Sequence, residues 1–332
     1  MRIWFNHWFS QSYHFINALK EKGHYVIGTN ERNTCVYREN SDEFYLEPVF
    51  EKEEEYIDWT LKFIKEHNIE VFFVRRNMSA VVHNLKKFET LKVNVICEKD
   101  VEMFDILQGK NSTMEFFRQF DICNIPDMKI VKTLDEFKEA YKELSKKHKY
   151  LCIKYNKDEG GQSYKLISPR KPNIDRIKEN NGLTYTYEYI CKCLGSVDSF
   201  EEIVVMPYLN GTEISVDCLK TKDGLIAVPR YKLNNRVTKI VLDEKFIKIA
   251  EKISEKINLE QPYNIQFRYN DDELYLLEIN TRLSGGSWKA RYLGCDFVNL
   301  CIDKLEGNEI EFIPSVREIN ISNIEDGVIL NI

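Results

Sequence analysis

Long apolar runs are missing from this chain of 332 residues: none exceeds about four, with Val71 to Val74 and Ile203 to Met206 among the longest. A helix that crosses a bilayer needs roughly 20 apolar residues, so a membrane span is excluded. The start, Met1-Arg2-Ile3-Trp4-Phe5-Asn6-His7, reaches polar residues too soon for the apolar region of a signal peptide. The expectation is a cytoplasmic protein. Positive charge is also in short supply, because 47 Lys and Arg face 53 Asp and Glu for a net charge of −6. No basic stripe stands out, which argues against a sequence-independent grip on nucleic acid. Cys-x-x-Cys pairs are absent among nine scattered cysteines, and Cys191-x-Cys193 fits neither a zinc knuckle nor a redox motif. Most lie in apolar stretches such as Leu151-Cys152-Ile153, where a thiol behaves as a small hydrophobe in a reducing compartment. Finally, no Gly-x-Gly-x-x-Gly follows the first apolar segment, which weakens a dinucleotide-binding reading.

What is there is an ordinary globular composition, 43% hydrophobic, without repeats or low-complexity segments. The length suggests two or three domains, each able to bury a core. Over the first hundred residues short apolar segments (Ile3 to Phe5, Tyr25 to Ile27, Val71 to Val74, Val93 to Cys97) alternate with amphipathic helices at about 11–22 and 53–67. Such alternation predicts a parallel sheet with helices on its faces. Ligands bind such sheets at the carboxyl ends of the strands, which is where Asn6-His7-Trp8 and Arg75-Arg76-Asn77 fall. From about Asp100 two helices (110–120 and 133–147) flank a connector with Pro126, the second opened by a Thr133/Glu136 capping box. Beyond it the chain reads as strands at 150–155, 164–168, 203–206, 213–219, 225–231, 263–269 and 274–280, with helices at 243–257 and 288–305.

Three stretches carry chemistry. In Asn264-Ile265-Gln266-Phe267-Arg268, a charged turn and Leu276-Leu277-Glu278-Ile279-Asn280-Thr281-Arg282, the period of two puts Glu278 and Asn280 on one face. One carboxylate with the amides of Gln266 and Asn280 makes an oxygen-rich cluster suited to magnesium. The same pattern suits an ordinary hairpin with a polar solvent face. In Lys154-Tyr155-Asn156-Lys157-Asp158-Glu159-Gly160-Gly161-Gln162-Ser163 the paired glycines let successive N–H groups face an anion beside the Lys154 charge; a plain Gly-Gly turn is the alternative. In Ile203-Val204-Val205-Met206-Pro207-Tyr208-Leu209-Asn210-Gly211-Thr212-Glu213 a strand runs into a proline connector, which leaves backbone groups to read a flat heterocycle and Glu213 to accept from a ribose hydroxyl.

In that order and spacing the three stretches resemble the ATP-grasp superfamily, in its carbamoyl-phosphate-synthetase-like and amino-acid-ligase-like branch. The resemblance implies an α/β and α+β architecture: a Rossmann-like pre-ATP-grasp domain at 1–99, an ATP-grasp domain at 100–306 with a lid at about 150–210, and a C-terminal extension at 307–332. It implies that Lys110 and Lys154 clamp the phosphates of ATP and that Gly160, Gly161 and Ser163 cover them. By the same resemblance the backbone of Met206 and Tyr208 meets adenine, and Glu213 takes the ribose. Gln266, Glu278 and Asn280 would hold Mg2+, with Mn2+ as a substitute, and Arg282 would stabilise the reacting phosphoryl group. His7, Ser10 and Arg75 would lie near the second substrate. Departures are present: Asn280-Thr281-Arg282 replaces Asn-Pro-Arg, Lys154-Tyr155 replaces Lys-Pro, and Met206 stands where an acidic residue is usual. Ser284-Gly285-Gly286 resembles the Arg-x-Ser-Gly-Gly run of amino-acid ligases, whereas carbamoyl-phosphate synthetase has a second arginine at Gly285.

The implied activity is an ATP-dependent ligase that turns a carboxylate into an acyl phosphate for attack by an amine or thiol. Lys154, Lys110 and Arg282 neutralise charge, and N–H groups at Gly285 and Gly286 hold the acyl oxygen. Arg230 and Lys232, two apart on one strand face, reach the phosphates or the substrate carboxylate, or are paired surface cations. Small-molecule carboxylate and amine substrates are the expected partners, with a homodimer left open. The competing readings are a nucleotide-binding protein of the same fold without ligase activity, a carbamoyl-phosphate-synthetase-like phosphorylating subunit, and a dinucleotide oxidoreductase.

Overall fold

The computed structural model describes residues 1–6, 9–157, 161, 163–168, 183–324 and 326–331. Five short segments build the first sheet: β1 (Arg2–Phe5), β2 (Tyr25–Asn30), β3 (Glu43–Leu46), β4 (Val71–Phe73) and β5 (Asn94–Ile96). All neighbours in the order β3-β2-β1-β4-β5 are parallel. A parallel sheet is covered on both faces, and successive residues of β1 show it. Trp4 stacks on Phe72 at 3.9 Å and Phe5 stacks on Phe73 at 4.8 Å. The Phe5 side is covered by Phe15, Ile16 and Leu19 of α1 (Ser12–Glu21), and the Trp4 side by Tyr56, Ile57, Phe63 and Ile64 of α2 (Glu53–Glu66). Two short helices, α3 (Met78–His83) and α4 (Leu85–Phe88), complete that side. Strand order reverses between β1 and β4, and a ligand crevice belongs at such a reversal.

The helices α5 (Val101–Gln108) and α6 (Lys110–Phe117) lead to a second sheet. It is built from β6 (Lys129–Val131), β7 (Leu151–Tyr155), β8 (Lys165–Ser168), β9 (Thr184–Thr186) and β10 (Ile203–Pro207) in the order β6-β10-β7-β8-β9. It packs on Phe137, Ala140 and Leu144 of α7 (Leu134–Leu144) and on Ile190 of α8 (Tyr187–Leu194). The expected capping box is displaced by one residue: Thr133 Oγ1 accepts from Glu136 N at 3.3 Å, but Glu136 Oε2 takes the N–H of Lys132 at 2.6 Å.

The third sheet contains β11 (Glu213–Thr221), β12 (Gly224–Lys232), β13 (Val237–Val241), β14 (Tyr263–Asn270), β15 (Glu273–Asn280) and β16 (Glu318–Ser322) in the order β15-β14-β11-β12-β13-β16. Two helices accompany it, α9 (Glu244–Ile257), capped by the Asp243 carboxylate, and α10 (Phe297–Glu306). The single helix expected at 288–305 is two pieces, because Gly294 takes φ +91° after a 3-10 segment at Ser287–Leu293. The helix expected at 110–120 ends at Phe117, and the one at 133–147 ends at Leu144.

The chain forms two compact units. The first comprises residues 1–104, 214–265 and 279–332, and the second residues 105–213 and 266–278. Among the described residues no helix is long and apolar enough to cross a membrane. All nine cysteines are free, and burial holds the thiols of Cys97, Cys152 and Cys301 up at about 12.

Candidate functional site

In the second unit two of the expected site residues, Lys110 and Lys154, are tied to one stretch of chain at Asn156, which the pattern placed between two strands without a role. Asn156 is 7% exposed, and its carbonyl accepts from both the backbone N–H of Lys110 (3.2 Å) and its Nζ (3.3 Å). Its Oδ1 accepts from Asn111 N at 2.9 Å, so a distant amide does the work of a cap where Gly109 has no side chain to offer. Its Nδ2 donates to Glu202 Oε2 at 2.8 Å, and Glu202 pairs with Lys132 at 3.0 Å. The buried Lys110 is thereby fixed to the chain two residues beyond Lys154.

Lys154 itself is half-buried on β7 opposite Val204 of β10, and among the described residues no carboxylate pairs with it. The following turn holds Gly161 at φ +66°, and Ser163 Oγ accepts from Tyr155 N at 2.8 Å. Gly160 lies outside the described residues. Met206 is buried opposite Cys152. The Tyr208 N–H donates to the Tyr150 carbonyl at 2.9 Å; a donor expected to meet a heterocycle is therefore already committed within the sheet. Arg268 lies 5.7 Å from the Tyr208 ring and donates to the Gly211 carbonyl at 3.1 Å. Gly211 permits this approach, since a Cβ there would sit 2.7 Å from Tyr269 Cβ. Glu213, Gln266 and Glu278 are half-buried.

In the first unit a pocket is lined by Arg75, Cys97, Gln261, Thr281 and Arg282 among others, which brings two of the expected site residues together. Arg75 is buried, with its guanidinium 5.7 Å from the Phe15 ring. Its backbone is fixed by Asn6, whose Oδ1 accepts from Arg75 N (2.8 Å) and Arg76 N (3.3 Å) and whose Nδ2 donates to Tyr56 Oη (2.8 Å). Asn6 thus ties the carboxyl ends of β1 and β4 at the point of order reversal. Ser10 is exposed, and His7 lies outside the described residues. Asn280 and Arg282 are half-buried, as is Glu278 on the same face of β15, so the alternative of a solvated hairpin face does not hold for these side chains.

A second cluster in this unit was not legible in the sequence. Asp217, with no exposed surface, sits mid-strand in β11. It binds Arg230 Nε (2.5 Å) and Nη2 (3.2 Å), Ser284 Oγ (3.0 Å) and Asn264 Nδ2 (2.8 Å), while Arg230 Nη2 also donates to Ser284 Oγ (2.7 Å). The reading of Arg230 as a surface cation therefore fails: it is a buried pair that grips the Ser-Gly-Gly loop. Lys232 is exposed two residues on. Gly286 is required by this packing, because a Cβ there would lie 2.3 Å from Arg230 Nη1. Gly285 faces the Gln11 side chain at ordinary contact distance. A little further along the loop, Lys289 is 7% exposed, donates to Thr238 Oγ1 at 2.8 Å, and is held down at about 8 by burial and then by the Arg230 charge. The signals that would have found these residues are single charges inside apolar company, Val216-Asp217-Cys218 and Trp288-Lys289-Ala290.

Comparison with known proteins bears on the fold. A family described as "ATP-grasp in the biosynthetic pathway with Ter operon" matches residues 199–327. The carbamoyl phosphate synthase large chain of Clostridium acetobutylicum is 19% identical over 318 residues, 90% of this chain and 27% of that protein. The chain spans at most 27% of the length of the curated relatives it matches. N5-carboxyaminoimidazole synthetase from Staphylococcus aureus complexed with ADP superposes with a TM-score of 0.68 at 14% identity, over 93% of this chain and 78% of that one. The L-amino acid ligase from Bacillus licheniformis gives 0.65 at 16% identity, over 96% and 78%. Together with the order of the three sheets, these likenesses show that the chain has the fold of the ATP-grasp enzymes it superposes on, with sequence similarity to an ATP-grasp family over residues 199–327 and to a carbamoyl phosphate synthase large chain.

Proposed function

We propose that the protein is a Mg2+- and ATP-dependent ligase that activates a carboxylate as an acyl phosphate for attack by an amine or thiol. The observation that carries this reading is the pair of cations near Asn156, Lys110 buried and held by the Asn156 carbonyl and Lys154 half-buried two residues before it, beside a turn with Gly161 in the left-handed region. Two cations fixed to one short stretch of backbone suit a polyphosphate rather than a protein carboxylate. In this reading the first hundred residues form the pre-ATP-grasp domain and 100–306 the ATP-grasp domain.

Gln266, Glu278 and Asn280 are one carboxylate and two amides, a hard-oxygen set without His or Cys. Among the described residues no group of three His, Cys, Asp or Glu side chains converges to hold a metal unaided. Such a set fits an ion that takes few protein ligands and completes its shell with phosphate oxygens and water. Bound there, Mg2+ would neutralise the phosphates. The chain's own residues do the rest: Lys110 and Lys154 hold the nucleotide phosphates, Arg282 balances charge on the transferring phosphoryl group, and Gly285 and Gly286 offer N–H groups to the acyl oxygen. Asp217 and Arg230 hold that loop by Ser284. Glu213 and the backbone at Met206 and Tyr208 seat the nucleoside, and His7, Ser10, Arg75 and Lys232 are assigned to the side of the second substrate. One structural neighbour is complexed with ADP and another is an L-amino acid ligase, which supports the reading.

The test is a screen of amino and keto acids for acid-dependent phosphate release from Mg-ATP. At least one acid should raise release above the basal rate. Glu278→Gln and Asn280→Ala should each lower that rate at least about tenfold with an unchanged circular dichroism spectrum. No response to any acid, or near-normal rates in both variants, refutes the proposal. The similarity to a carbamoyl phosphate synthase large chain favours a second reading, phosphorylation of bicarbonate or carbamate, which the same assay tests with bicarbonate alone.

A further inference from the structure

An edge strand offers a row of unpaired main-chain groups to any chain that comes alongside. One edge of the third sheet is β15, where Asn124 covers part of the row: its N–H donates to the Leu274 carbonyl at 3.3 Å and its carbonyl accepts from Leu276 N at 3.0 Å. The other edge is β16, which among the described residues pairs with β13 alone. The usual protections of an edge are missing there. Glu318-Ile319-Asn320-Ile321-Ser322 contains no proline and no lysine, and its single charge is taken by Lys239 at 2.8 Å.

Two hydrogen bonds at the ends of the β13–β16 ladder fix which groups point outward. Leu242 N donates to the Arg317 carbonyl at 3.1 Å and Asn323 N to the Arg236 carbonyl at 2.9 Å, so the odd-numbered residues of this stretch bond to β13. In an antiparallel ladder such residues alternate with residues whose N–H and C=O groups point the other way. Glu318, Asn320 and Ser322 therefore turn their main-chain donors and acceptors to the free edge, and their side chains are exposed while Ile319 and Ile321 are half-buried. The stretch is also complementary to itself. Laid antiparallel against a second copy about Asn320, Glu318 faces Ser322, Ile319 faces Ile321 and Asn320 faces Asn320, with no like charges opposed. Carried outward, the same register sets Arg317 against Asn323 and the exposed Val316 against the exposed Ile324. We infer that β16 is the docking edge of a two-fold dimer, in which a second copy of this chain adds its own β16 antiparallel about Asn320. Any extended peptide could satisfy the main chain, but the palindromic pairing of side chains, with one apolar residue beyond each end meeting the other, singles out a second copy. The contact spans about nine residues a side, short of the roughly 20–30 of a standard interface, so the dimer is reversible.

The test is sedimentation velocity of the full chain across about 1–500 μM, the range in which so small a contact dissociates. The wild type should shift from monomer toward dimer as concentration rises. The Asn320 side chain is exposed and its N–H faces away from β13, so substitutions there take no bond from the ladder and near-ultraviolet circular dichroism should be unchanged. Asn320→Pro removes an outward donor from each copy and should weaken the dimer at least about tenfold. Asn320→Asp and Asn320→Lys each set like charges against one another across the axis and should weaken it at least as much. Mixed in equal amounts, these two variants should dimerise again, because opposite charges then meet. A wild type that stays monomeric throughout, charged variants that dimerise as well as the wild type, or a mixture that gains nothing over its components overturns the inference; the last is the result that another register or another face of the protein would give.

Discussion

Replacing Gly286 with Ala adds one methyl group, and the structure fixes where it goes. Gly286 has φ −100° and ψ −9°, which alanine adopts without strain, so the backbone offers no objection. The new carbon would lie 2.3 Å from Arg230 Nη1, 2.9 Å from Cζ and 3.2 Å from Nη2. An exposed arginine would swing aside, but this guanidinium is tied by Nε and Nη2 to Asp217 and by Nη2 to Ser284. Breaking a buried ion pair on one side costs about 3–5 kcal/mol. The lower end applies, because Asn264 Nδ2 and Ser284 Oγ still hold the Asp217 carboxylate. Gly→Ala at a compatible conformation returns about 0.4–1 kcal/mol through the unfolded chain, so the net loss should be about 2–3 kcal/mol. Residues 105–213 and 266–278 contain no tryptophan, whereas Trp4, Trp59 and Trp288 belong to the first unit, so tryptophan fluorescence during urea unfolding follows the unit that carries the change. The control is the same substitution in an Arg230→Met/Asp217→Asn background, where both charges are gone together. There Gly286→Ala should be neutral or slightly stabilising. An equal loss in both backgrounds, or no loss in the wild type, refutes the steric argument.

Lys154→Ala should weaken ATP binding by roughly ten- to a hundredfold, the worth of a charge-assisted phosphate contact; calorimetric affinity equal to the wild type would remove Lys154 from the phosphate clamp. Glu47 gives a pH prediction. Burial raises its carboxyl to about 7, opposed only in part by the Thr29 hydroxyl at 2.9 Å. The folded state then binds the proton more tightly than the unfolded chain. Its stability is fully present below about pH 4.5 and is lost as pH rises to about 7. Glu47→Gln should remove that slope and stabilise the protein at pH 8 by about 1–3 kcal/mol; parallel stability–pH curves for the two proteins would count against it.

Some elements of this fold can be read directly because one local pattern decides them. The continuous apolar run Ile3-Trp4-Phe5 and the 3.6-residue stripe of Ile57, Leu61 and Ile64 need no knowledge of what lies opposite. Other elements exist only through their partners. The residues 318–322 alternate over one short stretch with only Ile319 and Ile321 apolar, and they form a strand where β13 pairs with them from Val237↔Ser322 to Val241↔Glu318. Three-residue strands such as β6 are of the same kind, since a strand that short gains its order from its neighbours rather than from propensity. The helix expected through 288–305 fails at Gly294, where one left-handed residue outweighs an otherwise continuous apolar pattern.

The site divides along a different line. The residues proposed to face a ligand can be named from sequence because the chemistry asked of them fixes their type and spacing: two lysines, a glycine turn, and Glu278, Asn280 and Arg282 at intervals of two. The residues that hold them cannot, because support can come from any element that happens to pass nearby. Asn156 serves a helix that begins 46 positions earlier in the chain, and Asp217 reaches Ser284 across 67. A buried carboxylate in an apolar strand is costly unless it is paired and hydrogen-bonded, so Asp217 alone announces that partners exist without naming them. Arg230 answers it, and Gly286 is then explained by the guanidinium rather than by the turn.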